Sequence, residues 1–476
     1  MSFVFIILSI ATLLPGLLNA ATFTVITNTD SGVGSLRQAI LDANGTAGAD
    51  TIVFAIPGAG LHTIAPATNL PTIVEAVIID GYTQPGASAN TLAVGSDAIL
   101  QIELTGTGVP NGTGLNLNAL VNGAQVRGLV VNKWNNGITF AGTKNSILAG
   151  NFIGTNAAGT AALGNTNGLF ILSSAQGNTF GGATPAARNL ISGNTSGGII
   201  MGNSGTSSNV IENNYIGTNA AGMAAIPNLQ GISFNSPDHD TIRNNVISGN
   251  TGSASFSAGI SIINTANHID VVGNRIGVAA NGTTPLPNVY GITLSDGFSG
   301  GANDNTIGTL TEPNVIAFNT KAGVALMAFT SKQSHDNTIR YNSIFGNGTL
   351  GIDLGDDGVT ANDVGDGDAG LFNDLQNFPV LSSAQFGAGT VTINGSISSK
   401  PSTTYLLQFF QNATCDASGN GEGQTYLGDA TAITDAAGVV AFNENFPGSA
   451  GGFATATATD LLGNTSEFSA CAAITT

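Results

Sequence analysis

Hydrophobic positions through the middle of the chain keep a beat that neither a helix nor a lone hairpin would give. Gly followed by alternating apolar residues recurs at Gly137-Ile-Thr-Phe140, Gly168-Leu-Phe-Ile171, Gly198-Ile-Ile-Met201 and Gly231-Ile-Ser-Phe234. It continues at Gly259-Ile-Ser-Ile262, Gly291-Ile-Thr-Leu294, Gly323-Val-Ala-Leu326 and Gly351-Ile-Asp-Leu354, with the glycines about 28 to 33 residues apart. Gly114-Leu-Asn-Leu117 reads as an earlier, shorter turn. In step with this, Asn stands two residues before Ile at Asn151, Asn189, Asn214, Asn245, Asn274, Asn314 and Asn342. In most units a further aliphatic (Leu148, Ile211, Ile242, Val271, Ile339) lies five residues before that Ile. Each unit thus offers three short strands, with Asn at the corner between the second and third. Asn tolerates the left-handed backbone such a corner requires, and stacked amides can hydrogen-bond from one coil to the next.

Three short strands per unit at a steady period predict an all-β chain wound as a right-handed parallel β-helix, each coil burying its apolar side against its neighbours. Longer corner loops, Thr155-Asn-Ala-Ala-Gly159, Thr218-Asn-Ala-Ala-Gly222 and Val278-Ala-Ala-Asn-Gly282, fall on every other coil and are expected to project along one line. A leucine-rich solenoid would need denser Leu, and a propeller about four antiparallel strands per blade.

Different patterns flank the coils. Residues Phe3 to Leu18 are apolar and end in Leu18-Asn19-Ala20-Ala21, a small-residue cleavage site, which reads as a secretory signal cut after Ala20; the alternative is a retained N-terminal anchor. No later run has the 18 to 20 apolar residues of a spanning helix. Thr22 to Val25 alternates as a strand, and Ser35 to Asn44 reads as one helix lying over the first coil as a cap. Ser35 and Gln38 suit a capping box, Leu36, Ala39, Ile40 and Ala43 form the apolar face, and Gly45 suits the stop. Past Phe378-Pro379, alternating strands at Thr390 to Ile397, Tyr405 to Phe410, Val439 to Phe442, Phe453 to Thr459 and Thr465 to Ser469 suggest an immunoglobulin-like β-sandwich. The expected divisions are a signal peptide (1–20), a cap with the first coils (21–105), the β-helix (106–378) and the sandwich (379–476). Cys415 and Cys471, the only cysteines, are expected to close a long loop as one disulfide in an exported chain; two free thiols are the alternative.

Composition narrows the partners. With 66 Gly, 42% hydrophobic and 8% charged residues, the chain suits a turn-rich β protein with a sizeable core rather than a disordered segment. Eleven Lys and Arg against 29 Asp and Glu leave a formal charge of −18, which disfavours nucleic acid and anionic membranes. Glycans, cationic partners and calcium stay open.

The stretch Ala21-Thr-Phe-Thr-Val25, Gly34-Ser-Leu-Arg-Gln-Ala-Ile40 and Ala49-Asp-Thr-Ile-Val-Phe54 resembles the N-terminal segment of bacterial exported proteins with a CSLREA domain. Gly34 stands where that name's cysteine would be, and Gln38 replaces its Glu. The Asn-Phe-Ile-Gly-Thr-Asn and Asn-Val-Ile-Ser-Gly-Asn units look like parallel β-helix repeats of the pectin-lyase-like superfamily. The tail, from Gly421 to Thr425 and from Ala458 to Ser469, is similar to the β-sandwich that often follows them. The resemblance implies the fold and an extracellular or cell-surface setting. The superfamily spans lyases, hydrolases, epimerases, tailspikes and adhesins, so it names no reaction. The polygalacturonase signatures Gly-His-Gly and Arg-Ile-Lys are absent.

Two constellations carry candidate chemistry. His239, Asp240 and Arg243, His268 and Asp270, and His335, Asp336 and Arg340 occupy nearly equivalent places before the second strand of successive coils, with Asp304 between them. His239 should sit against His268, and Arg243 should share a ladder position with Arg340. Such a stripe suits a sugar groove with acid, base and carboxylate-binding groups, or equally a solvated corner. The second is acidic: Asp353, Asp356, Asp357, Asp363, Asp366, Asp368 and Asp374 interleaved with Gly and Asn suit calcium, although their order is not that of an EF-hand; a solvated linker is the alternative. Asp460, Asn464 and Glu467 repeat the idea more weakly. No Cys/His cluster stands at zinc-ligand spacing. Trp134, Tyr215, Tyr290 and Tyr341 are expected to pack rather than stack on sugars. The reading is an exported glycan-binding or adhesion protein without catalysis. The alternative is a polysaccharide lyase, hydrolase or epimerase on an acidic polymer, and a purely structural fibre segment is a third possibility.

Overall fold

The computed structural model describes residues 20–252, 257–330, 332–367 and 372–476. The expected signal segment before Ala20 lies outside the described residues. From Thr22 to Leu354 the chain winds through three parallel sheets of 11, 10 and 9 strands, a parallel β-solenoid of about 11 turns. One coil shows the path. Gln125–Arg127 lies in the first sheet, Leu129–Asn132 in the second and Asn136–Ala141 in the third. Ile147–Ala149 then returns to the first sheet and pairs in parallel with Gln125–Arg127.

The repeating apolar residues become columns. Leu148, Phe180, Ile211, Ile242 and Val271 stack in the first sheet, and Ile153, Ile191, Ile216, Ile247 and Ile276 in the second. Ile138, Leu169, Ile199, Ile232, Ile260 and Ile292 stack in the third. All are buried in one continuous core, where each full burial of an aliphatic side chain stabilises by about 2 kcal/mol. The repeating Gly has a steric cause. A Cβ on Gly137 would lie 2.6 Å from the carbonyl oxygen of Gly168 and 3.0 Å from Nδ2 of Asn165.

The Asn register is a hydrogen-bonded ladder. Nδ2 of Asn214 donates to Oδ1 of Asn245 at 3.0 Å, Asn245 to Asn274 at 3.0 Å and Asn274 to Asn314 at 3.0 Å. The left-handed residue is not the ladder Asn, however, but the one before it: Gly150 (φ 69°), Asn213 (57°), Asn244 (56°), Gly273 (67°) and Tyr341 (63°). The ladder Asn turns its amide inward to the carbonyls of earlier residues, as Asn245 does to Ile211 and Arg243. A second ladder runs along the next corner, Asn165, Asn194, Asn228, Asn250, Asn288, Asn319 and Asn347.

The alternate-coil loops do fall in line. The backbone N–H of Ala220 donates to Gly159 O at 2.8 Å and that of Ala280 to Gly222 O at 2.9 Å. They help to cover Phe152, Leu190, Tyr215 and Val246 on the outside of the second sheet.

Helix Leu36–Asn44 forms between the strands Thr22–Val25 and Asp50–Phe54, with Leu36, Ala39, Ile40 and Ala43 buried. The capping box is half made. Ser35 Oγ accepts from Gln38 N at 3.2 Å, while the Gln38 side chain turns to Asp42 instead. Gly45 keeps a right-handed backbone at φ −94°. No helix among the described residues is long and apolar enough to cross a membrane.

The C-terminal region is one seven-stranded sheet ordered Thr425–Ile433, Thr404–Asn412, Phe453–Thr459, Ala472–Thr475, Val380–Gly387, Thr390–Ser398 and Val439–Pro447. Its own core contains Val391, Ile393, Tyr405, Leu407, Phe409 and Ala456. Cys415 and Cys471 are joined as a disulfide. The expected strand Thr465 to Ser469 is corrected to an irregular segment: it runs beside Phe453–Thr459, with Ser466 N donating to Ala458 O and Ser469 N to Ala456 O, and it also meets the last coil. Thr465 Oγ1 accepts from Ile339 N at 3.0 Å, Glu467 Oε1 accepts from Leu354 N at 2.9 Å, and Phe468 joins the solenoid core. Glu422 accepts from Asn347 Nδ2 at 2.8 Å, in the place of the next ladder Asn, and Gly423 exchanges backbone bonds with Ile344. All three sheets therefore end on groups from this domain.

Candidate functional site

The outward face of the first sheet carries two columns on either side of the inward aliphatic one. Parallel register places Arg127, Ala149, Gly181, Glu212, Arg243 and Val272 in a single outward column, which continues through Gly308 to Arg340. The shared position expected for Arg243 and Arg340 is thus present, and Arg127 joins them. Arg127 Nη2 meets Asp80 Oδ2 at 2.6 Å, and Arg243 Nε meets Glu212 Oε1 at 3.0 Å. Arg340 leans over the ring of Tyr341 at 5.8 Å. At about 4.8 Å per coil, four coil steps separate Arg127 from Arg243 by roughly 19 Å.

At the Arg127 end this face deepens into a cleft of about 370 Å³ between the sheet and the segments around Tyr82 and Gly182 to Ala187. Gln125, Arg127, Ile147, Ala149, Thr179 and Gly181 line it from three adjacent strands of the sheet. Tyr82 donates from its hydroxyl to Gly150 O at 2.6 Å, and burial, aided by Asp80, pushes its pKa upward. Nε of Arg127 is buried without a hydrogen-bond partner. No carboxylate is among the residues that line the cleft.

The His stripe lies at the corner leading into the same sheet. His239 and His268 stack with centroids 4.4 Å apart and planes 18° from parallel. Both have left-handed backbones, φ 57° and 53°, as do Asp304 (57°) and Asp336 (60°). A column of left-handed corner residues explains why His and Asp recur there, since both types are enriched in that conformation. The residue in step with His239 and His268 is Asp336 rather than His335, which lies one position earlier, level with Asp238. His335 Nδ1 meets Asp336 Oδ2 at 2.7 Å, and Asp336 is tied to Asn464 of the C-terminal domain. That end of the stripe is therefore a joint between domains.

Asp240 is turned away from the stripe. It is buried in the position of a ladder Asn and accepts from Asn209 N at 2.6 Å and Asn209 Nδ2 at 3.0 Å. Its other oxygen has no partner, and burial lifts its pKa to about 7. Asp270 faces outward on the first sheet, its pKa raised mainly by desolvation. The residue that completes the stripe is Asp238, which sequence reasoning passed over. Its Oδ1 lies 3.0 Å from Nδ1 of His239 and 2.9 Å from Nδ1 of His268.

The acidic segment spreads its carboxylates among separate tasks. Asp356 accepts from Tyr290 Oη at 2.7 Å. The backbone N–H of Asp357 donates to Asp353 Oδ1 at 3.2 Å, and burial raises the pKa of Asp353 to about 6. Asp363 accepts from Gly367 N, and Asp366 accepts from Asn377 N and Ser399 Oγ. Asp368 lies outside the described residues. Among the described residues, no three of these carboxylates converge closely enough to share an ion; the convergent group is Asp238, His239 and His268. Asp356 ties the loop to the coils through Tyr290, and Asp366 ties it to the C-terminal domain through Ser399. Trp134 and Tyr215 are buried, with Trp134 Nε1 donating to Leu104 O and Tyr215 beneath the Arg188 guanidinium.

These features define a parallel β-solenoid with a cleft on an arginine-bearing sheet. No protein family model matches the sequence, and no curated protein matches it. Similar solved structures include an alginate lyase from Paenibacillus sp. str. FPU-7, 15% identical over 71% of this chain and 99% of that one, with a TM-score of 0.46. A DFA-IIIase from Arthrobacter chlorophenolicus A6 is 12% identical over 66% of this chain and 64% of that one, TM-score 0.36. Tailspike protein 2 of Escherichia coli O157:H7 bacteriophage CAB120 is 9% identical over 92% and 66%, TM-score 0.40. The fold of this chain rests on its own strand pairing, not on these likenesses.

Proposed function

We infer that the protein is an exported, polysaccharide-binding β-solenoid that lays an extended glycan along the outer face of its first sheet. The observation that carries this reading is the Arg127, Arg243 and Arg340 column: three of only eleven Lys and Arg in a chain of charge −18 share one outward line, with the cleft at its Arg127 end. Guanidinium groups suit carboxylate or hydroxyl oxygens, and a flat parallel face suits a linear polymer. The test is retention of the chain from Ala21 onward on immobilised acidic and neutral polysaccharides. Arg127→Ala and Arg243→Ala are each expected to weaken binding by about tenfold, roughly 1.4 kcal/mol. Unchanged retention in the double variant would overturn the reading.

A second reading, β-elimination or epimerisation of an acidic polysaccharide, is favoured by one feature, the Tyr82 hydroxyl and Arg127 guanidinium in the same cleft. A hydrolase would need two carboxyl groups across the bond to be cut, and the lining of the cleft has none. Appearance of an ultraviolet-absorbing unsaturated chain end, lost in Tyr82→Phe, would place this reading first.

The finer structural readings belong with the proposal. They are right-handed winding, the helix Leu36–Asn44 as closure of the first coil, an immunoglobulin-type tail, and export by a signal ending at Ala20. The buried apolar face of the helix supports the second, and the Cys415–Cys471 bond supports passage through an oxidising compartment.

A further inference from the structure

We propose that Asp238, His239 and His268 form a surface site for one divalent first-row transition metal ion, of the zinc or nickel type. The donors are two imidazole nitrogens and one carboxylate oxygen, all within 4.8 Å of one another. Bonds of about 2.1 Å separate neighbouring donor atoms by about 3.0 Å in an octahedral shell and about 3.4 Å in a tetrahedral one. The observed separations of Asp238 Oδ1 from the two Nδ1 atoms are 3.0 and 2.9 Å. Two of the three donor separations thus already match a shared coordination shell, and the third lies within 4.8 Å. In the ion-free protein His268 Nδ1 hydrogen-bonds to that oxygen and His239 Nδ1 pairs with it at 3.0 Å; on binding, the Nδ1 protons leave and the three lone pairs turn to the ion.

The site is preorganised by the solenoid rather than by local sequence. His239 and His268 come from consecutive coils, and Asp238 bridges to Asn267 across the same step. His239 N donates to Asn267 O at 3.2 Å, and Ser208 N donates to His239 O at 3.1 Å, which fixes the left-handed backbone from both sides. Because the coil rise sets the spacing, the rings remain stacked with both Nδ1 atoms on the Asp238 side. About half of each side chain is open to solvent, 61% for His239, 49% for His268 and 45% for Asp238. The remaining coordination positions are therefore open to water or to an oxygen ligand. Two imidazoles select against calcium, which prefers an all-oxygen shell. The overall charge of −18 draws cations to the surface, and Asp270 adds a carboxylate near the two rings. This inference stands independently of the glycan reading.

The test is calorimetric titration of the untagged, chelator-treated chain from Ala21 onward with Zn²⁺ alone, and in parallel with Co²⁺ followed by its visible absorption. One ion per chain is expected. His268→Ala and Asp238→Ala should each lower the affinity at least about tenfold and remove the cobalt bands, while His335→Ala, at the domain joint, should leave both unchanged. His268→Asn, which keeps a residue suited to the left-handed backbone, replaces the alanine variant if circular dichroism shows that the latter misfolds. Absence of binding to the unmodified chain, or binding that survives loss of both His239 and His268, would overturn the proposal.

Discussion

Inside the second ladder, Asn250 accepts from Asn228 and donates to Asn288; at its end, Asn347 donates to Glu422, and Glu422 passes nothing on. An amide both gives and takes, so a column of amides can run through any number of coils. A carboxylate only takes when ionised, and it stands where the column stops. The same rule holds at the corner before the first sheet. There Asn178 donates to Asn209 and Asn209 to Asp240, and the next rung is Ile269, which has no acceptor to offer. The column restarts with Asn305, Asn337 and Asn373. Acid in place of amide is thus a stop signal written into the ladder.

Breaking the amide column should cost most. Asn245→Ala strands the donors of Asn214 and the carbonyls of Ile211 and Arg243 in the interior, and is expected to destabilise the solenoid by about 5 kcal/mol, read as a shift of the urea midpoint. Removing the staple beside the terminal carboxylate comes next. Cys415→Ser with Cys471→Ser opens a loop spanning 56 residues and should cost about 4 kcal/mol, with hydrogen exchange rising in the C-terminal sheet and not around Asn245.

The stop carboxylates should respond with the opposite sign. Burial raises the pKa of Glu422 and of Asp240 to about 7, from ordinary values of 4.5 and 3.8. A carboxyl raised in the folded state favours folding when protonated. Its contribution is complete below its ordinary pKa and is lost as the pH climbs through about 7. Glu422→Gln and Asp240→Asn should therefore each stabilise the protein by on the order of 3 kcal/mol at pH 9 and change little at pH 4. A variant that gains equally at both pH values would break the comparison. Smallest is Arg243→Ala. Its partner Glu212 is nearly buried, but the Arg243 side chain is 41% exposed, so folding stability should fall by less than about 1 kcal/mol while glycan retention drops.

The columns of Ile and Gly were legible because every coil repeats them at nearly one period. The ladder at Asn151 to Asn342 was legible for the same reason. The second ladder escaped because its spacing from the first alternates with the loops: Asn165 follows Asn151 by 14 residues, whereas Asn194 follows Asn189 by 5. The stacking of His239 on His268 followed from the coil alignment. Asp238 did not stand out, because metal-ligand spacing is sought within one segment and here the coil supplies the approach. The strand expected at Thr465 to Ser469 failed for a different reason. Its alternation is real: Ser466 and Ser469 bond to the strand Phe453–Thr459, but Glu467 and Phe468 between them turn their side chains to the last coil, and no regular strand forms.

The loops that touch along the second sheet have a consequence for how such a chain can lengthen or shorten. Thr155, Thr218 and Val278, which open them, are separated by 63 and 60 residues, and each loop rests on the one two coils away. An insertion or deletion of one coil would leave the sheets in register yet bring two loops onto adjacent coils, or leave a gap beneath them. The smallest indel that respects both the sheets and the loops is a pair of coils, so length variants of this protein should differ in steps of about sixty residues.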